Sequence, residues 1–196
     1  MIISMFKDTV VITNRHLVKG DYLEQIRQVL SLYPCELILR EKDLSDEEYE
    51  RLSADVLKLC TEYRVSCYLH SRYETARKLG CKNIHLSVTS LLACEESLLD
   101  FEKISVSCHS LEDVKNALAH GATQIILGTI FETECKKGLK GQGLSFVKEI
   151  SDYCRANGNI PVFAIGGITP ENIELVKAAG ARGGCMMSYM MRYSKS

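Results

Sequence analysis

The chain lacks the features that would place it in a specialised class of protein. Its 24 lysines and arginines nearly balance 25 aspartates and glutamates, leaving a net charge of −1, so charge gives no reason to expect binding to nucleic acid or to an acidic membrane surface. No apolar run approaches the roughly eighteen residues of a membrane-spanning helix, and residues 1–7 lack the basic segment of a secretory signal. We therefore expect a cytoplasmic protein that binds neither nucleic acid nor membranes.

Paired cysteines are lacking as well. The nine cysteines are odd in number, and no two are spaced as Cys-x-x-Cys, which argues against a disulfide framework and against a zinc site. Most lie among apolar residues, where a thiol packs as a small hydrophobic group. We predict no metal site, and only Cys135, which lies in a polar loop, is considered for a chemical role.

What the chain does have is a regular alternation of strands and helices. Its eight short β-branched or leucine-rich runs mostly lack the alternation of a half-exposed strand, which is typical of parallel strands buried on both faces. Eight strand–helix units predict one α/β domain over residues 1–196, a (β/α)8 TIM barrel, with a six-stranded open sheet as the alternative. The predicted strands are residues 9–13, 36–40, 65–69, 83–86, 104–107, 124–127, 161–165 and 182–187.

Several helix ends are marked in the sequence. Ser45 and Ser71 each precede a glutamate by three residues, as in a capping box. Ser110 is expected to cap a helix that Gly121 ends, and Thr169-Pro170 to cap and start another. Only residues 188–196 follow the eighth predicted strand, so the last helix is truncated. Either the segment after Ile2 or a second subunit, in a homodimer, is then expected to cover the barrel there.

In a barrel of this kind the functional side chains lie at the C-terminal ends of the strands. The residues predicted at those ends are rich in cationic, imidazole and hydroxyl groups, and this composition predicts a site for an anionic ligand. His85 lies within a predicted strand, where an interior packing role and a ligand contact are equally compatible with its position. The candidates are Arg40, Lys42, His70, Ser107, His109 and, in a glycine-containing loop able to close over a ligand, Thr133, Cys135 and Lys136.

Two glycine-rich strand ends predict where a phosphate binds. Gly166-Gly167 follows the seventh predicted strand, and Gly184 lies in the stretch that ends the eighth at Ser188. Backbone amides at these turns can point at one anion, as they do between strands seven and eight of phosphate-binding barrels. We expect Gly167→Val to abolish ligand binding with the fold largely intact, because the new side chain would fill the anion's volume.

Four stretches of the sequence also carry a family resemblance. They are Leu39-Arg-Glu-Lys-Asp43, Ser107-x-His109-Ser110, Ile130-Phe-Glu-Thr-Glu-Cys-Lys-Lys-Gly-Leu-Lys-Gly-Gln-Gly143 and Val162-Phe-Ala-Ile-Gly-Gly-Ile-Thr-Pro-Glu-Asn172. Together they resemble the thiamine phosphate synthase/TenI superfamily, in order, over nearly the whole chain. The resemblance implies a (β/α)8 barrel that binds thiazole phosphate or thiamine phosphate. In a synthase, Arg40 and Lys42 would face the pyrimidine diphosphate, and Thr133 and Lys136 would belong to the substrate loop.

The resemblance implies different chemistry for two branches of the superfamily. Synthases carry an Asn-Asp pair after strand three and a Gly-Gln-x-Asp stretch after strand four, whose carboxylates hold Mg2+. This chain has His70-Ser71 and residues 87–90 there, without a carboxylate. Cys135 is instead similar to the TenI branch, which includes thiazole tautomerases. The catalytic histidine of that branch follows the glycine ending strand six, where this chain has Gly128-Thr129.

We therefore expect a TenI-like thiamine-biosynthesis protein that binds thiazole phosphate and, if it is an enzyme, transfers a proton. His109 or His70 would supply the imidazole that position 129 lacks, and Cys135 is a weaker candidate. Two alternatives stay open: a non-catalytic binding or regulatory protein, and a thiamine phosphate synthase with an atypical Mg2+ site. No cofactor is expected outside the synthase alternative.

Overall fold

The structure is a closed barrel of eight parallel strands with helices on its outer side. The computed structural model describes residues 6–94, 98–132 and 141–194. Each strand pairs with its neighbours in chain order, and the first pairs with the eighth to close the barrel. This confirms the predicted (β/α)8 fold. The strands are β1 Thr9–Ile12, β2 Glu36–Leu39, β3 Ser66–His70, β4 Asn83–Ser87, β5 Lys103–Cys108, β6 Gln124–Gly128, β7 Val162–Ile165 and β8 Gly183–Met186.

Burial of the strands on both faces explains why their positions could be predicted from the sequence. Each observed strand boundary lies within one residue of its predicted position. Alternate side chains of a strand point to opposite faces, and here most of the side chains on both faces are apolar. One set packs against the helices, and the other faces the barrel interior, where its apolar members are Val10, Ile12, Ile38, Tyr68, Ile126, Phe163 and Cys185.

The helices follow the strands in turn, and two of their predicted caps are confirmed. Ser45 Oγ accepts a hydrogen bond from the Glu48 amide while the Glu48 carboxylate accepts one from the Ser45 amide. Ser110 Oγ accepts from the Asp113 amide. Over the described ranges, no helix has both the length and the apolar character needed to cross a bilayer. The helices are α1 Tyr22–Leu30, α2 Asp46–Tyr63, α3 Tyr73–Lys78, α4 Val88–Leu92, α5 Leu111–Ala119, α6 Gly143–Ala156, α7 Ile173–Ala178 and α8 Ser188–Met191.

Two other predicted helix starts are wrong, and tertiary hydrogen bonds explain both. Ser71 has φ +60 and its amide donates to the His85 carbonyl, so α3 begins two residues later without a side-chain cap. Thr169 does not start a helix. The side chain of Asn172 accepts from the Thr169 amide and donates to the Gly167 carbonyl, which holds a turn ahead of α7.

The barrel is covered beyond β8 by residues of the same chain. Helix α8 has only four residues, but Met190 and Met191 within it are fully buried. The Gln25 side chain on α1 donates to the Met190 carbonyl, and the Phe6 and Tyr189 rings lie with their centroids 6.1 Å apart. The truncated last helix is thus observed, together with the expected cover from the N-terminal segment. The homodimer stays a prediction.

Candidate active site

Polar side chains from β2, β3 and β4 converge at the C-terminal mouth of the barrel. Ile38 and Tyr68 point into the barrel interior, and Arg40 and His70 follow them by two positions, so they continue the inward face toward the mouth. His70 is the register partner of His85 on β4, and the two rings lie 5.5 Å apart. The structure therefore brings predicted site residues of two strands together with His85.

The two cations at this mouth are not neutralised. Arg40 and Lys42 form no ion pair within the described ranges, in contrast to Arg15, which pairs with Asp43. Burial and, next, the charges of Arg40 and Lys42 lower the pKa of His70 to about 4. Burial and the charge of Arg40 also lower the pKa of Lys42. Two adjacent unpaired positive charges create a potential that attracts an anion.

His85 is an interior residue whose ring nitrogens are both hydrogen-bonded. Nδ1 lies 2.9 Å from Ser105 Oγ, and Nε2 lies 2.9 Å from Ser107 Oγ. Burial and, next, the neighbouring His70 lower the pKa of His85 to about 3. The structure thus gives His85 a packing role in the barrel, and it places Ser107, the predicted binding residue, as the last member of this group before the mouth.

His109 lies just after β5, and its ring contacts the end of β6. Its Nδ1 hydrogen-bonds the carbonyl oxygen of Gly128. Because a carbonyl oxygen only accepts, Nδ1 carries the hydrogen, and Nε2 of the neutral ring keeps its lone pair. The His109 amide donates to Asp113 Oδ2 at 2.7 Å, and the Gln142 amide group donates to the His109 carbonyl at 3.2 Å. Nε2 has no hydrogen-bond partner among the residues that the structure describes, so an exposed imidazole with an available nitrogen is held beside position 129.

Gly166 and Gly167 accommodate a close approach of the loop after β6. Both have positive φ, +100 and +65. A Cβ on Gly166 would collide with Thr129, and one on Gly167 would lie 2.8 Å from the Phe131 Cβ and 2.8 Å from the Glu132 carbonyl oxygen. This corrects the expectation that a side chain at position 167 would simply fill an anion's volume, because it would first displace the loop.

The backbone amides of Gly167 and of the next residue, Ile168, are available to a ligand. Within the part of the chain that the structure describes, the Gly167 and Ile168 amides donate no hydrogen bond. Strand β7 pairs with β8 through Ile165 and Cys185, so the segments that follow these strands lie side by side. Ser188, the first residue of α8, follows β8 on this side. This arrangement is compatible with the predicted phosphate site.

Gly184 does not belong to that set. It lies within β8, its amide donates to the Asp8 carbonyl at 3.1 Å, and a Cβ on it would lie 2.6 Å from Ile168 Cγ2. Gly184 is therefore a packing residue, and the prediction that its amide holds phosphate is not supported. Three other predicted site residues lie outside the described residues, and their roles stay predictions: Thr133, Cys135 and Lys136.

Comparison with known proteins decides the family. The family model described as thiamine monophosphate synthase matches residues 9–190. The chain belongs to this family. A putative thiamine-phosphate synthase 2 of Aquifex aeolicus is 33% identical over 173 residues, covering 88% of this chain and 91% of that protein. A thiamine-phosphate synthase of Clostridium tetani is 28% identical over 184 residues, covering 92% of this chain and 86% of that protein.

A solved structure supports the fold of this family member. A thiamine phosphate pyrophosphorylase from Pyrococcus furiosus aligns with a TM-score of 0.80, covering 97% of this chain and 90% of that one, at 24% sequence identity. The similarity extends over β1 to β8 and confirms the barrel architecture. At this level of identity it concerns the fold alone.

Within the thiamine monophosphate synthase family, this chain lacks residues that fit Mg2+ after β3 and β4. The positions where the resemblance calls for carboxylates hold His70, Ser71 and residues 87–90. Ser87 Oγ accepts from the Ser90 amide and caps α4. In residues 6–94, 98–132 and 141–194, no three His, Cys, Asp or Glu side chains form a group that could hold a metal ion. Mg2+ prefers anionic oxygen ligands, so the donors present at this place do not suit it.

Two residues that sequence analysis missed support the mouth of this family member. Glu41 is buried and accepts hydrogen bonds from Thr13 Oγ1 at 2.7 Å and Tyr22 OH at 2.9 Å. It lies between Arg40 and Lys42, and the alternation of a strand end turns it to the opposite side. This alternation is the sequence signal from which the buried position of Glu41, on the opposite side from Arg40 and Lys42, could have been predicted. Gln142, which holds the His109 carbonyl, comes from a helix start that has no comparable pattern.

The lowered pKa of His70 predicts a pH dependence of stability. In the unfolded chain a histidine protonates near its ordinary pKa of 6.5, whereas folded His70 stays neutral until about pH 4. The unfolded state therefore binds more protons between these values, so His70 favours the folded state fully above pH 6.5 and progressively less as pH falls. We expect His70→Gln to reduce the slope of the unfolding free energy against pH by up to about 1.4 kcal/mol per unit in this window.

Urea unfolding of both proteins across this pH range measures the effect. His16→Gln is the control, because His16 is an exposed histidine paired with Asp43 away from the barrel interior. Identical slopes for the parent and the His70 variant would contradict the prediction.

Proposed function

We propose that this protein binds a thiazole phosphate at the C-terminal mouth of the barrel and transfers a proton on the bound ring. Two features support the binding. Arg40 and Lys42 have no ion-pair partner among the described residues, and the Gly167 and Ile168 amides donate no hydrogen bond there. The phosphate would lie against the amides that follow β7 and near Ser188, with the ring reaching toward the ends of β5 and β6.

The observation that carries the proton-transfer proposal is the position of His109. The resemblance to thiazole tautomerases calls for an imidazole just after the glycine that ends β6, where this chain has Thr129. Threonine is not an acid–base group near neutral pH. The His109 ring contacts the carbonyl of Gly128, the residue before Thr129, with Nδ1 occupied and Nε2 available. An imidazole from the end of β5 is therefore presented at the end of β6.

The proposed step is an isomerisation. His109 Nε2 would accept a proton from one atom of a non-aromatic thiazole ring, and the resulting imidazolium would return a proton to another atom of the same ligand, which leaves the ring aromatic. The ligand is neither oxidised nor reduced, and no second substrate enters the balance. A positioned acid–base group contributes about 10²–10⁴-fold to such a step.

Thiamine phosphate synthesis is the second candidate function, and the names of relatives favour it. The Aquifex aeolicus and Clostridium tetani relatives are both named as thiamine-phosphate synthases, the first as putative. The lack of carboxylates after β3 and β4 counts against it, as set out above. A third possibility on the same scaffold is ligand binding without turnover.

One set of assays separates these functions. Purified protein is incubated with the non-aromatic carboxythiazole phosphate, and aromatisation is followed by ultraviolet absorbance. We expect a rate above that of buffer, and a rate equal to buffer would reject proton transfer. Calorimetric titration with thiazole phosphate then detects binding without turnover. Mg2+-dependent release of pyrophosphate from the pyrimidine diphosphate and thiazole phosphate would instead establish the synthase.

A further inference from the structure

A chain of hydrogen bonds runs through the barrel interior and ends at the candidate active site. Glu36, at the start of β2, accepts from Gln124 Nε2 at 2.8 Å, and the same nitrogen lies 3.3 Å from Ser105 Oγ. Ser105 Oγ lies 2.9 Å from His85 Nδ1, and His85 Nε2 lies 2.9 Å from Ser107 Oγ. The chain thus links the N-terminal entrance of the barrel to its C-terminal mouth.

The acidic end of this chain fixes the direction of its hydrogen bonds. A carboxylate only accepts hydrogen bonds, and Glu36 receives one from the Gln124 amide group and one from Tyr68 OH at 3.2 Å. Burial and, next, the charge of Glu36 raise the pKa of Tyr68, which keeps its hydroxyl protonated as a donor. The Gln124 side chain must therefore turn its NH2 group toward Glu36, and the same group donates to Ser105 Oγ.

That direction then propagates to His85. Ser105 Oγ accepts from Gln124, and the hydroxyl's one hydrogen can then bond to His85 Nδ1 at 2.9 Å. A ring nitrogen that accepts carries no hydrogen, so in this arrangement the hydrogen of the neutral imidazole lies on Nε2. Nε2–H donates to Ser107 Oγ. The low pKa of His85, about 3, excludes the doubly protonated ring near neutral pH.

We propose that Glu36, Gln124 and Ser105 are positioning residues that hold His85 as the Nε2–H tautomer and thereby turn the Ser107 hydroxyl into a hydrogen-bond donor aimed at the mouth. Ser107 Oγ receives its hydrogen bond from His85, so its own hydrogen points elsewhere, and Ser107 is partly exposed. It would then select ligands that present an acceptor, such as a ring nitrogen or a carboxylate, at that place. This selection rests on the proposed function, whereas the tautomer does not.

Nitrogen-15 NMR of the ligand-free protein at neutral pH tests the tautomer. Long-range couplings from the carbon-bound ring hydrogens distinguish a protonated from an unprotonated ring nitrogen. We expect His85 to show protonated Nε2 and unprotonated Nδ1. Ser105→Ala removes the donor to Nδ1 and is expected to shift the ring toward a mixture of tautomers. Protonated Nδ1 in the parent protein would overturn the proposal, and so would an unchanged tautomer in the variant.

Ser53→Ala provides a matched control. Ser53 is also fully buried and lies on α2, outside the chain of hydrogen bonds, and its hydroxyl has no hydrogen-bond partner among the described residues. Ser53→Ala is expected to leave the His85 signals as in the parent protein. Ser105→Thr keeps the hydroxyl and is also expected to show the parent signals. A shift of the tautomer in the Ser53 variant equal to that in Ser105→Ala would mean that any loss of packing moves it, which overturns the proposal.

Calorimetry with thiazole phosphate tests the selection. Ser105→Ala is expected to weaken binding about fivefold, the effect of one imperfectly oriented hydrogen bond, while Ser53→Ala keeps the parent affinity. Equal affinities for parent and Ser105→Ala would overturn the donor role of Ser107. If the parent binds no thiazole phosphate, the proposed function and the donor role fall together, while the tautomer is decided by the NMR spectrum alone.

Discussion

His109→Gln is expected to lower the rate of thiazole aromatisation by about 10²–10⁴-fold, the usual contribution of a positioned acid–base group. The glutamine amide can still donate to the Gly128 carbonyl that holds the imidazole in the parent protein. It cannot exchange a proton near neutral pH, so the variant would keep the hydrogen bond to Gly128 and lose the acid–base group. The measurement is kcat and KM by ultraviolet absorbance, with the loss expected in kcat.

Two further histidine variants make this result specific. His120→Gln changes a histidine at the end of α5, whose Nδ1 contacts the Asn116 carbonyl. Because α5 returns toward the N-terminal ends of the strands, this control is expected to retain the parent rate. His70→Gln separates the two imidazoles at the mouth. A parent-like rate for His109→Gln together with a large loss for His70→Gln would assign the proton transfer to His70 instead.

Gly167→Ala is expected to weaken the binding of thiazole phosphate at least tenfold and to destabilise the fold by more than backbone strain alone. A left-handed backbone costs a non-glycine residue about 1–2 kcal/mol. At position 167 the new Cβ would also lie 2.8 Å from Phe131 Cβ and from the Glu132 carbonyl oxygen. Phe131 and Glu132, at the start of the loop after β6, must therefore move away from the glycine whose amide borders the proposed phosphate site. Calorimetric titration and urea unfolding measure the two effects.

Gly80→Ala is a matched control for the backbone term. Gly80 has φ +68, close to the +65 of Gly167, but a Cβ there would meet nothing within 4 Å. It also lies at the end of α3, away from the mouth. We expect it to lose only about 1–2 kcal/mol of unfolding free energy and to bind the ligand as the parent does. Equal losses of ligand affinity and of unfolding free energy in the two variants would mean that the contact of position 167 with the loop contributes to neither.

The fold could be predicted from the sequence because its signals are local and redundant. Residues 37–39 and 125–127 are apolar on both faces, so that a short run alone identifies a buried strand. Ser45 and Glu48 cap α2 through contacts within four residues of each other. Such features depend on residues that are adjacent in the chain, so the sequence alone is enough to predict them.

The wrong helix starts and the misassigned glycine depend on distant residues instead. Ser71 has capping-box spacing, but its amide bonds to the carbonyl of His85 on β4, and this fixes a backbone that cannot cap. Gly184 resembles a phosphate-binding glycine in sequence, yet it is needed where Ile168 packs against β8. A single sequence does not show which distant residue will hydrogen-bond to a given backbone group or pack against it.

The candidate site could be predicted in composition but not in arrangement. Arg40, Lys42 and His70 were identified by their position after strands, and the structure brings them together. The contact of His109 with Gly128 depends on how the ends of β5 and β6 are set against each other, which a strand prediction does not give. The hydrogen bonds that lead from Ser105, a partner of His85, to Gln124 and Glu36 were missed for a similar reason, because Gln124 and Glu36 lie on strands far apart in the chain.

The pairing of β1 with β8 also has a consequence for how the protein is made. Thr9 to Val11 pair with residues 184–186, so β1 leaves the ribosome well before β8, the strand with which it closes the barrel. Until β8 emerges, β1 has an unpaired edge, and the apolar residues meant for the interior are open on that side. Truncation before residue 183 is therefore expected to abolish closure of the whole barrel rather than remove one strand, because β8 joins β7 to β1.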